Sequence, residues 1–311
     1  MGSKRQSERR ECTEVQIEMP WGHISGKWWG PQNRRPILAL HGWQDNAGTF
    51  DTLIPLLPPH IGILAIDLPG HGISSRLPDG QVYHLSSYLY MVIMIMEKYD
   101  WEQISLLGHS LGSILAIQLA AIFPDKVDLV IGLDTYQPIN RLQLNFTSES
   151  RRNITTFLTA DERNRNNSEP PSYSYDECIE KLFIGGGNSI NRDKCCYIVN
   201  RNIQKSTKYP DKYYFTRDSR LKAFDLGVWP KEIYSSLLAD IKCPLLFIKA
   251  TDTKVSDPAA FREHLAVMKE NPLFEFQEVV GTHHVHLNEP HKVSGMINQF
   301  LLKYIGTISK L

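Results

Sequence analysis

The residues Gly108-His109-Ser110-Leu111-Gly112 form the strongest chemical pattern in the chain. They follow an apolar, β-rich run at positions 104–107 and precede a helical pattern at positions 111–123. A serine on a tight turn between a strand and a helix points its hydroxyl away from the sheet, and the helix N-terminus stabilises negative charge that develops there. The pattern therefore predicts that Ser110 is the nucleophile of an acyl-transfer reaction.

A second short motif, His41-Gly42-Trp43, is expected to complete the site for the oxyanion. Acyl transfer requires two backbone N–H groups that donate hydrogen bonds to the oxygen of the tetrahedral intermediate. We predict that Leu111, directly after the nucleophile, supplies one of them. Trp43 supplies the other from the loop after a strand at positions 36–40, and Gly42 lets that loop approach closely.

The general base is expected among three histidines that follow the last predicted strand, at positions 274–280. A triad on this architecture runs in the chain order serine, acid, histidine, and it needs a single base. His283 is nearest to the end of the strand and is the predicted base, whereas His284 and His286 are expected to line the cleft or pack. Their i, i+1, i+3 spacing does not converge in an extended loop, so no metal ion is predicted.

Two aspartates compete for the role of the acid that orients the histidine. Asp252 follows the predicted strand at positions 244–249, and Asp134 follows the strand at positions 127–133. Either carboxylate could hold the imidazole and stabilise its cationic form. Asp252 occupies the usual position after the penultimate parallel strand and is slightly favoured, with Asp134 as the alternative.

The elements that must position these residues alternate between short apolar runs and helical patterns. This alternation predicts an α/β fold with a mostly parallel central sheet flanked by helices, opened by an antiparallel pair at positions 15–19 and 23–29. The alternation stops at positions 136–240, where no strand is evident and the polar run 161–167 indicates a solvated loop. Because a structureless segment of that length is implausible in a compact domain, we predict an inserted helical lid. The core then comprises positions 15–135 and 241–305, with a flexible tail at 1–14 and a targeting tail at 306–311.

Composition excludes several classes of partner. The 34 basic and 34 acidic residues cancel, so there is no global electrostatic case for nucleic acid or an anionic membrane surface. The most apolar run, at positions 89–96, is far shorter than the ~20 residues of a membrane span. The five cysteines follow no metal-ligand spacing and indicate a reducing compartment.

The last residues, Ser309-Lys310-Leu311, match the signal read by the peroxisomal import receptor. We therefore expect a peroxisomal protein, with the cytoplasm as the alternative.

Four stretches together resemble the serine hydrolase-like family, which includes the kraken-type insect proteins, within the α/β-hydrolase superfamily. They lie at positions 41–51, 67–72, 108–112 and 283–290, and the resemblance covers about positions 21–302. It implies an α/β-hydrolase fold in which the base precedes the proline of the last helix by seven residues, as His283 precedes Pro290. The superfamily's Gly-x-x-Asp pattern is shifted by one position at Asp252, which keeps Asp134 in contention.

The expected activity is hydrolysis of a carboxylic ester or related small, apolar acyl substrate through an acyl-enzyme, without a cofactor. A serine at the turn argues against epoxide hydrolase or dehalogenase chemistry, which requires a carboxylate nucleophile. Cleavage of a carbon–carbon bond in a diketone remains an alternative use of Ser110. A peroxisomal location favours the narrower hypothesis of an acyl-CoA thioesterase. The rival from another class is a non-catalytic protein that binds a small ligand on the same fold.

Overall fold

The computed structural model describes residues 10–137, 146–166, 169–223, 230–253 and 257–304, and contains a large and a small β-sheet. The strands are β1 (Cys12–Met19), β2 (Gly22–Trp29), β3 (Ile37–Leu40), β4 (Ile63–Ile66), β5 (Ile104–His109), β6 (Val127–Leu133), β7 (Ile203–Lys205), β8 (Tyr213–Phe215), β9 (Leu245–Ala250) and β10 (Phe274–Val279). Eight of them form one sheet in the order β1-β2-β4-β3-β5-β6-β9-β10. The strand β2 pairs antiparallel with β1 and β4, and all other pairs of this sheet are parallel.

The central strands are apolar because helices cover both faces of the sheet. Every residue of β3, β4, β5 and β9 is buried. Strands buried on both faces read as continuous apolar runs and not as an alternating pattern. The predicted α/β fold with a mostly parallel sheet flanked by helices is confirmed.

Nine α-helices fall within the described residues. They are α1 (Leu85–Lys98), α2 (Leu111–Ile122), α3 (Phe146–Arg165), α4 (Tyr175–Gly185), α5 (Cys195–Asn202), α6 (Lys231–Ala239), α7 (Pro258–Met268), α8 (Val285–Asn288) and α9 (His291–Tyr304). Side chains of α1, α2, α6 and α7 pack in the apolar core on one face of the sheet, and α9 packs in the core on the other face. None of the described helices is long and apolar enough to span a membrane.

The segment between β6 and β9 is mostly helical and contributes a separate apolar cluster. Helices α4 and α5 pack there against Leu287 of α8, which ties the insertion to the core. One difference from the sequence prediction is the antiparallel hairpin of β7 and β8. Its strands have three residues each and carry no continuous buried run, so they left no clear pattern.

Two further parts of this segment differ from the expectation. Helix α3 continues through Arg165, where a solvated loop was predicted from position 161. Asp161 is buried there because it forms an ion pair with Arg220 at 3.2 Å and accepts a hydrogen bond from the Gly80 backbone N–H. Helix α6 contacts α2 and α7, so it packs on the core. Positions 138–145, 167–168 and 224–229 of the predicted lid and the whole targeting tail at 306–311 lie outside the described residues.

Candidate active site

Ser110 lies at the turn between β5 and α2 and has a strained backbone. Its φ of 52° and ψ of −114° are uncommon for a residue with a side chain. The Ser110 N–H donates to the Leu133 carbonyl at 3.1 Å, which fixes the turn to the neighbouring strand. A Cβ on Gly112 would lie 1.9 Å from the Leu40 carbonyl oxygen, so only glycine lets α2 approach β3 this closely. The structure therefore gives Ser110 the strand–turn–helix geometry that the motif predicted.

Ser110 opens into a cavity of about 780 Å³ between the core and the insertion. The other predicted site residues that line the cavity are Trp43, Leu111, Asp134 and His283. Apolar side chains of the insertion, among them Leu182 and Phe215, form part of the opposite wall. The cavity thus combines the predicted polar groups with an apolar surface, as small-molecule sites commonly do.

The two residues predicted to form the oxyanion hole lie on either side of Ser110. Leu111 is the first residue of α2, so its N–H has no acceptor within the helix. The loop after β3 passes directly against the nucleophile, because a Cβ on Gly42 would lie 3.2 Å from the Ser110 Cβ. Trp43 follows Gly42 in that loop, and its assignment as the second donor stays a prediction.

His283 and Asp134 form a short hydrogen bond between Nδ1 of the ring and Oδ2 of the carboxylate. The His283 side chain is 25% exposed and lines the cavity, whereas the Asp134 side chain is buried. No hydrogen bond between the Ser110 hydroxyl and His283 is found among the described residues. Such contacts are often long without substrate and tighten when it binds.

Asp134 is held in one orientation by two further donors. Its Oδ1 accepts hydrogen bonds from the Lys249 ammonium at 2.6 Å and from the Ala250 N–H at 2.9 Å. Burial alone would raise the pKa of Asp134, but the hydrogen bond from His283 and the charges of His283 and Lys249 outweigh it. The pKa of Asp134 therefore lies below its usual value, and the acid is ionised at neutral pH.

The sequence analysis did not assign Lys249 a role. This lysine is buried in β9 and also donates to the carbonyl oxygens of Ala250 and Thr253, at 2.8 Å and 3.1 Å. The signal in the sequence was a single charge within an otherwise apolar strand, Leu245–Ala250. A buried charge of this kind needs a partner, and here the partner is the candidate acid.

The preference for Asp252 as the acid is corrected by the structure. Asp252 is exposed, does not line the cavity, and its carboxylate accepts a hydrogen bond from the Thr251 hydroxyl at 3.2 Å. The backbone after β9 turns outward at this point, where the Asp252 N–H pairs with the Gly281 carbonyl. The carboxylate that contacts His283 comes instead from the end of β6, the strand beside β9 in the sheet.

Three other histidines surround the candidate base. His284 lines the cavity, and His286 is buried with its Nε2 at 2.9 Å from the Thr49 hydroxyl, in accordance with the roles expected for them. His109, inside the nucleophile motif, is buried and its ring centroid lies 4.1 Å from that of His286. Burial, and then the neighbouring histidines, hold the pKa of both His109 and His286 well below the usual value.

The family model described as alpha/beta hydrolase fold matches residues 35–290. The chain belongs to the α/β-hydrolase fold family. Among its curated relatives, the "Probable serine hydrolase" of Drosophila melanogaster is 39% identical, over 93% of this chain and 87% of that protein. The "Serine hydrolase-like protein" of Danio rerio is 33% identical, over 94% and 89%.

Solved structures superpose on most of this chain. The hypothetical protein PA1622 of Pseudomonas aeruginosa PAO1 matches with a TM-score of 0.76 and 26% identity, covering 94% of this chain and 99% of that chain. The curated relatives, with 39% and 33% identity over most of the chain, confirm the resemblance to the serine hydrolase-like family inferred from the motifs.

Proposed function

We propose that this α/β-hydrolase fold protein hydrolyses a carboxylic ester or related acyl substrate through an acyl-enzyme formed on Ser110. The observation that carries the proposal is the convergence of Ser110, His283 and Asp134 on one cavity, with His283 held by the buried, ionised Asp134. Fold alone does not establish activity, whereas an aligned base and acid beside a strained serine are the parts that acyl transfer needs.

The proposed reaction has two steps. The Ser110 Oγ attacks the substrate carbonyl while His283 accepts its proton at Nε2, the nitrogen left over because Nδ1 binds Asp134. The tetrahedral oxyanion accepts hydrogen bonds from the N–H groups of Leu111 and Trp43. His283 then gives the proton to the leaving group, and the acyl group stays on Ser110. In the second step a water molecule, deprotonated by His283, attacks the acyl ester. His283 then gives this proton to the departing Ser110 Oγ, which releases the carboxylic acid and the free serine.

The test is covalent labelling with a fluorophosphonate probe, which reacts with an activated serine by loss of fluoride. We expect a 1:1 adduct that peptide mass analysis locates at Ser110, and no adduct in the Ser110→Ala and His283→Ala variants. Ser86→Ala, which removes an exposed serine of α1, is the matched control and should label as the wild type does. If a folded wild-type protein does not react, the proposal fails and the non-catalytic ligand-binding function becomes the better explanation.

A second candidate, an acyl-CoA thioesterase, is favoured by the charges of the cavity wall. Besides Lys249, which pairs with Asp134, four cationic side chains line it: Arg152, Lys181, Arg217 and Lys222. Arg152 forms an ion pair with Glu149 of the same wall. These cations would complement a phosphate-bearing carrier, while the apolar wall would receive a small apolar acyl chain, and the same serine chemistry cleaves a thioester. To test this candidate, the rates at which the protein hydrolyses short aryl esters are compared with its rates on acyl-CoA thioesters of graded chain length. Cleavage of the aryl esters with no cleavage of any thioester would eliminate this candidate.

We also propose that the protein resides in the peroxisome, where the import receptor would bind Ser309-Lys310-Leu311, with the cytoplasm as the alternative. The tripeptide lies outside the described residues, so the support for this proposal is the sequence motif itself.

A further inference from the structure

Beside Ser110, three buried side chains bring a carboxylate and two imidazoles together: Asp45, His109 and His284. One ligating atom from each lies within 4.8 Å of the other two, and all three residues line the cavity. The sequence analysis considered only the histidines at 283, 284 and 286. The contact of His284 with Asp45, in the loop after β3, and with His109, the last residue of β5, was not predicted.

The hydrogen bonds of His109 show which of its nitrogens carries the proton. Nε2 lies 2.9 Å from the His283 carbonyl oxygen, which can only accept, so Nε2 is the protonated nitrogen. Nδ1 then carries a lone pair. It is buried, has no hydrogen-bond partner within the described part of the chain, and lies 3.9 Å from the Asp45 Oδ2.

The hydrogen bonds of His284 bear in the same way on which of its ring nitrogens carries the proton. The Ser189 hydroxyl donates its single proton to the Gly186 carbonyl at 2.8 Å, so it accepts from the His284 Nδ1, also at 2.8 Å. In this arrangement the proton of His284 is on Nδ1 and the lone pair is on Nε2. That atom lies 3.6 Å from the Asp45 Oδ2. In the other tautomer the Nε2–H points to Asp45; burial lowers the pKa of His284, and this interaction with Asp45 opposes the effect of burial.

With His284 protonated on Nδ1, three acceptors face one another, and a bound metal ion would replace the Nε2–H proton of the other tautomer. The Asp45 Oδ2 is itself buried and without a hydrogen-bond partner among residues that the structure describes. Arg217, a cation of the same wall, acts on Asp45 only at longer range, since its guanidinium donates to the Gln44 carbonyl at 3.2 Å. Converging lone pairs in a buried site are unfavourable unless a cation lies among them.

We propose that Asp45, His109 and His284 bind one divalent transition-metal ion, and that Zn²⁺ fits this ligand set best. Two imidazole nitrogens and one carboxylate oxygen are common zinc ligands, and tetrahedral bonds of ~2.0 Å place neighbouring ligand atoms about 3.3 Å apart. The separations of 3.6 Å and 3.9 Å from Asp45 need only a small contraction, and the two imidazole nitrogens, which lie within 4.8 Å of each other, would move together by up to about 1.5 Å. The His283 carbonyl and Ser189 orient the two rings, as outer partners of metal-binding histidines do. The cavity leaves room for a fourth ligand.

The consequence for catalysis rests on the proposed function. The rings of His109 and His284 lie next to that of His283, with centroid distances of 4.6 Å and 5.1 Å. A dication at this position would oppose the positive charge that His283 acquires during the reaction. We therefore expect the metal to inhibit the hydrolase and not to serve as its cofactor.

The test measures metal binding directly. Chelator-stripped protein is titrated with Zn²⁺ in competition with a chromophoric chelator, and with Co²⁺ followed by its visible absorption. We expect one equivalent to bind, and Asp45→Asn and His284→Gln each to weaken binding at least tenfold. Asp252→Asn and His60→Gln remove an exposed carboxylate and an exposed imidazole, and they should bind as the wild type does.

A thermal unfolding curve for each variant separates loss of a ligand from loss of the fold. If a ligand variant does not fold, Ser189→Ala decides, because it keeps all three ligands and removes only the partner of His284. It should weaken binding about 10–100-fold. Absence of Zn²⁺ binding by the wild type, or equal binding by Asp45→Asn and His284→Gln, overturns the site. The titration does not depend on hydrolysis, so a failed fluorophosphonate reaction would count against the proposed function alone.

Discussion

At the scale of single residues, the position of Asp134 explains how a carboxylate can stay ionised in a buried site. It accepts hydrogen bonds from His283, Lys249 and the Ala250 N–H, which together replace the water lost on burial. A carboxylate fixed by several donors also fixes the ring that it contacts, because it has little freedom to rotate. The orientation of His283 therefore depends on Lys249 and Ala250 as well as on Asp134.

Asp134→Asn should lower kcat/KM for an ester substrate by a factor on the order of 10³–10⁴, since the amide no longer stabilises the imidazolium of His283. Asp252→Asn, with an exposed carboxylate, should change it less than about threefold, within the range of ordinary surface substitutions. Initial rates on an aryl ester, with thermal unfolding as a check on the fold, measure both. A larger loss in Asp252→Asn than in Asp134→Asn would return Asp252 to the triad.

Lys249→Met should destabilise the protein by about 3–5 kcal/mol at pH 7, because it breaks a buried ion pair while filling most of the same volume. The pKa of Asp134 is lowered in the folded protein, so its ionised form stabilises the fold above the unfolded value of about 3.9. That contribution is lost as the pH falls through the lower folded value. The difference in the free energy of unfolding between the wild type and Lys249→Met should therefore become smaller below about pH 4.

Urea unfolding at a series of pH values from 7 to 3 measures this narrowing. Lys98→Met is the matched control, because Lys98 lies in an exposed ion pair with Glu18 at 3.6 Å, and exposed pairs contribute about 0–1 kcal/mol. Parallel stability curves for the wild type and Lys249→Met would show that Lys249 does not set the ionisation of Asp134.

At the scale of elements, the sequence was sufficient where one local pattern determines the structure. The strands β3 and β4 are continuous apolar runs, β5 is mostly apolar, and the turn at Ser110 is encoded by five consecutive residues. The partner of His283 was not local, because Asp134 lies 149 positions away along the chain. An aspartate follows each of two strands, β6 and β9. Which of the two contacts His283 depends on how these neighbouring strands pack, and that is not visible in the sequence.

The insertion was harder to predict for a related reason. Charged residues near the end of α3 indicated a solvated loop, but Asp161 meets Arg220 in a buried cluster. A single sequence does not distinguish a charge that faces water from one with a buried partner. For the same reason, the contact between Lys249 and Asp134 was not predicted from the sequence.

Gly112→Ala should destabilise the protein by more than about 3 kcal/mol or prevent folding, because the new Cβ would overlap the Leu40 carbonyl oxygen at the start of α2. Gly295→Ala is the matched control in α9, where an added Cβ meets no atom within 4 Å. Replacing glycine in a helix should stabilise this variant by up to about 1 kcal/mol. Urea unfolding of both proteins tests the argument, and equal tolerance would show that α2 can shift away from β3.

At the scale of the whole molecule, the balance of charge and the cavity are separate features. The chain has a formal net charge of zero, yet the wall of the cavity carries several cations from the insertion. Attraction of an anionic substrate would therefore arise in the cavity and not from the overall field. Such attraction acts at short range and is only partly screened by salt.

The proposed location in the peroxisome depends on Ser309-Lys310-Leu311, which lie outside the described residues. An import receptor reads Ser309-Lys310-Leu311 only as a free C-terminus, so a fluorescent protein fused to the N-terminus should accumulate in peroxisomes. Removal of residues 309–311 should leave the fusion in the cytoplasm, whereas removal of residues 2–4 should not change its location. Because the deletion leaves Ser110, His283 and Asp134 in place, fluorophosphonate labelling should be unaffected. Peroxisomal accumulation without the tripeptide would show that a different segment carries the address.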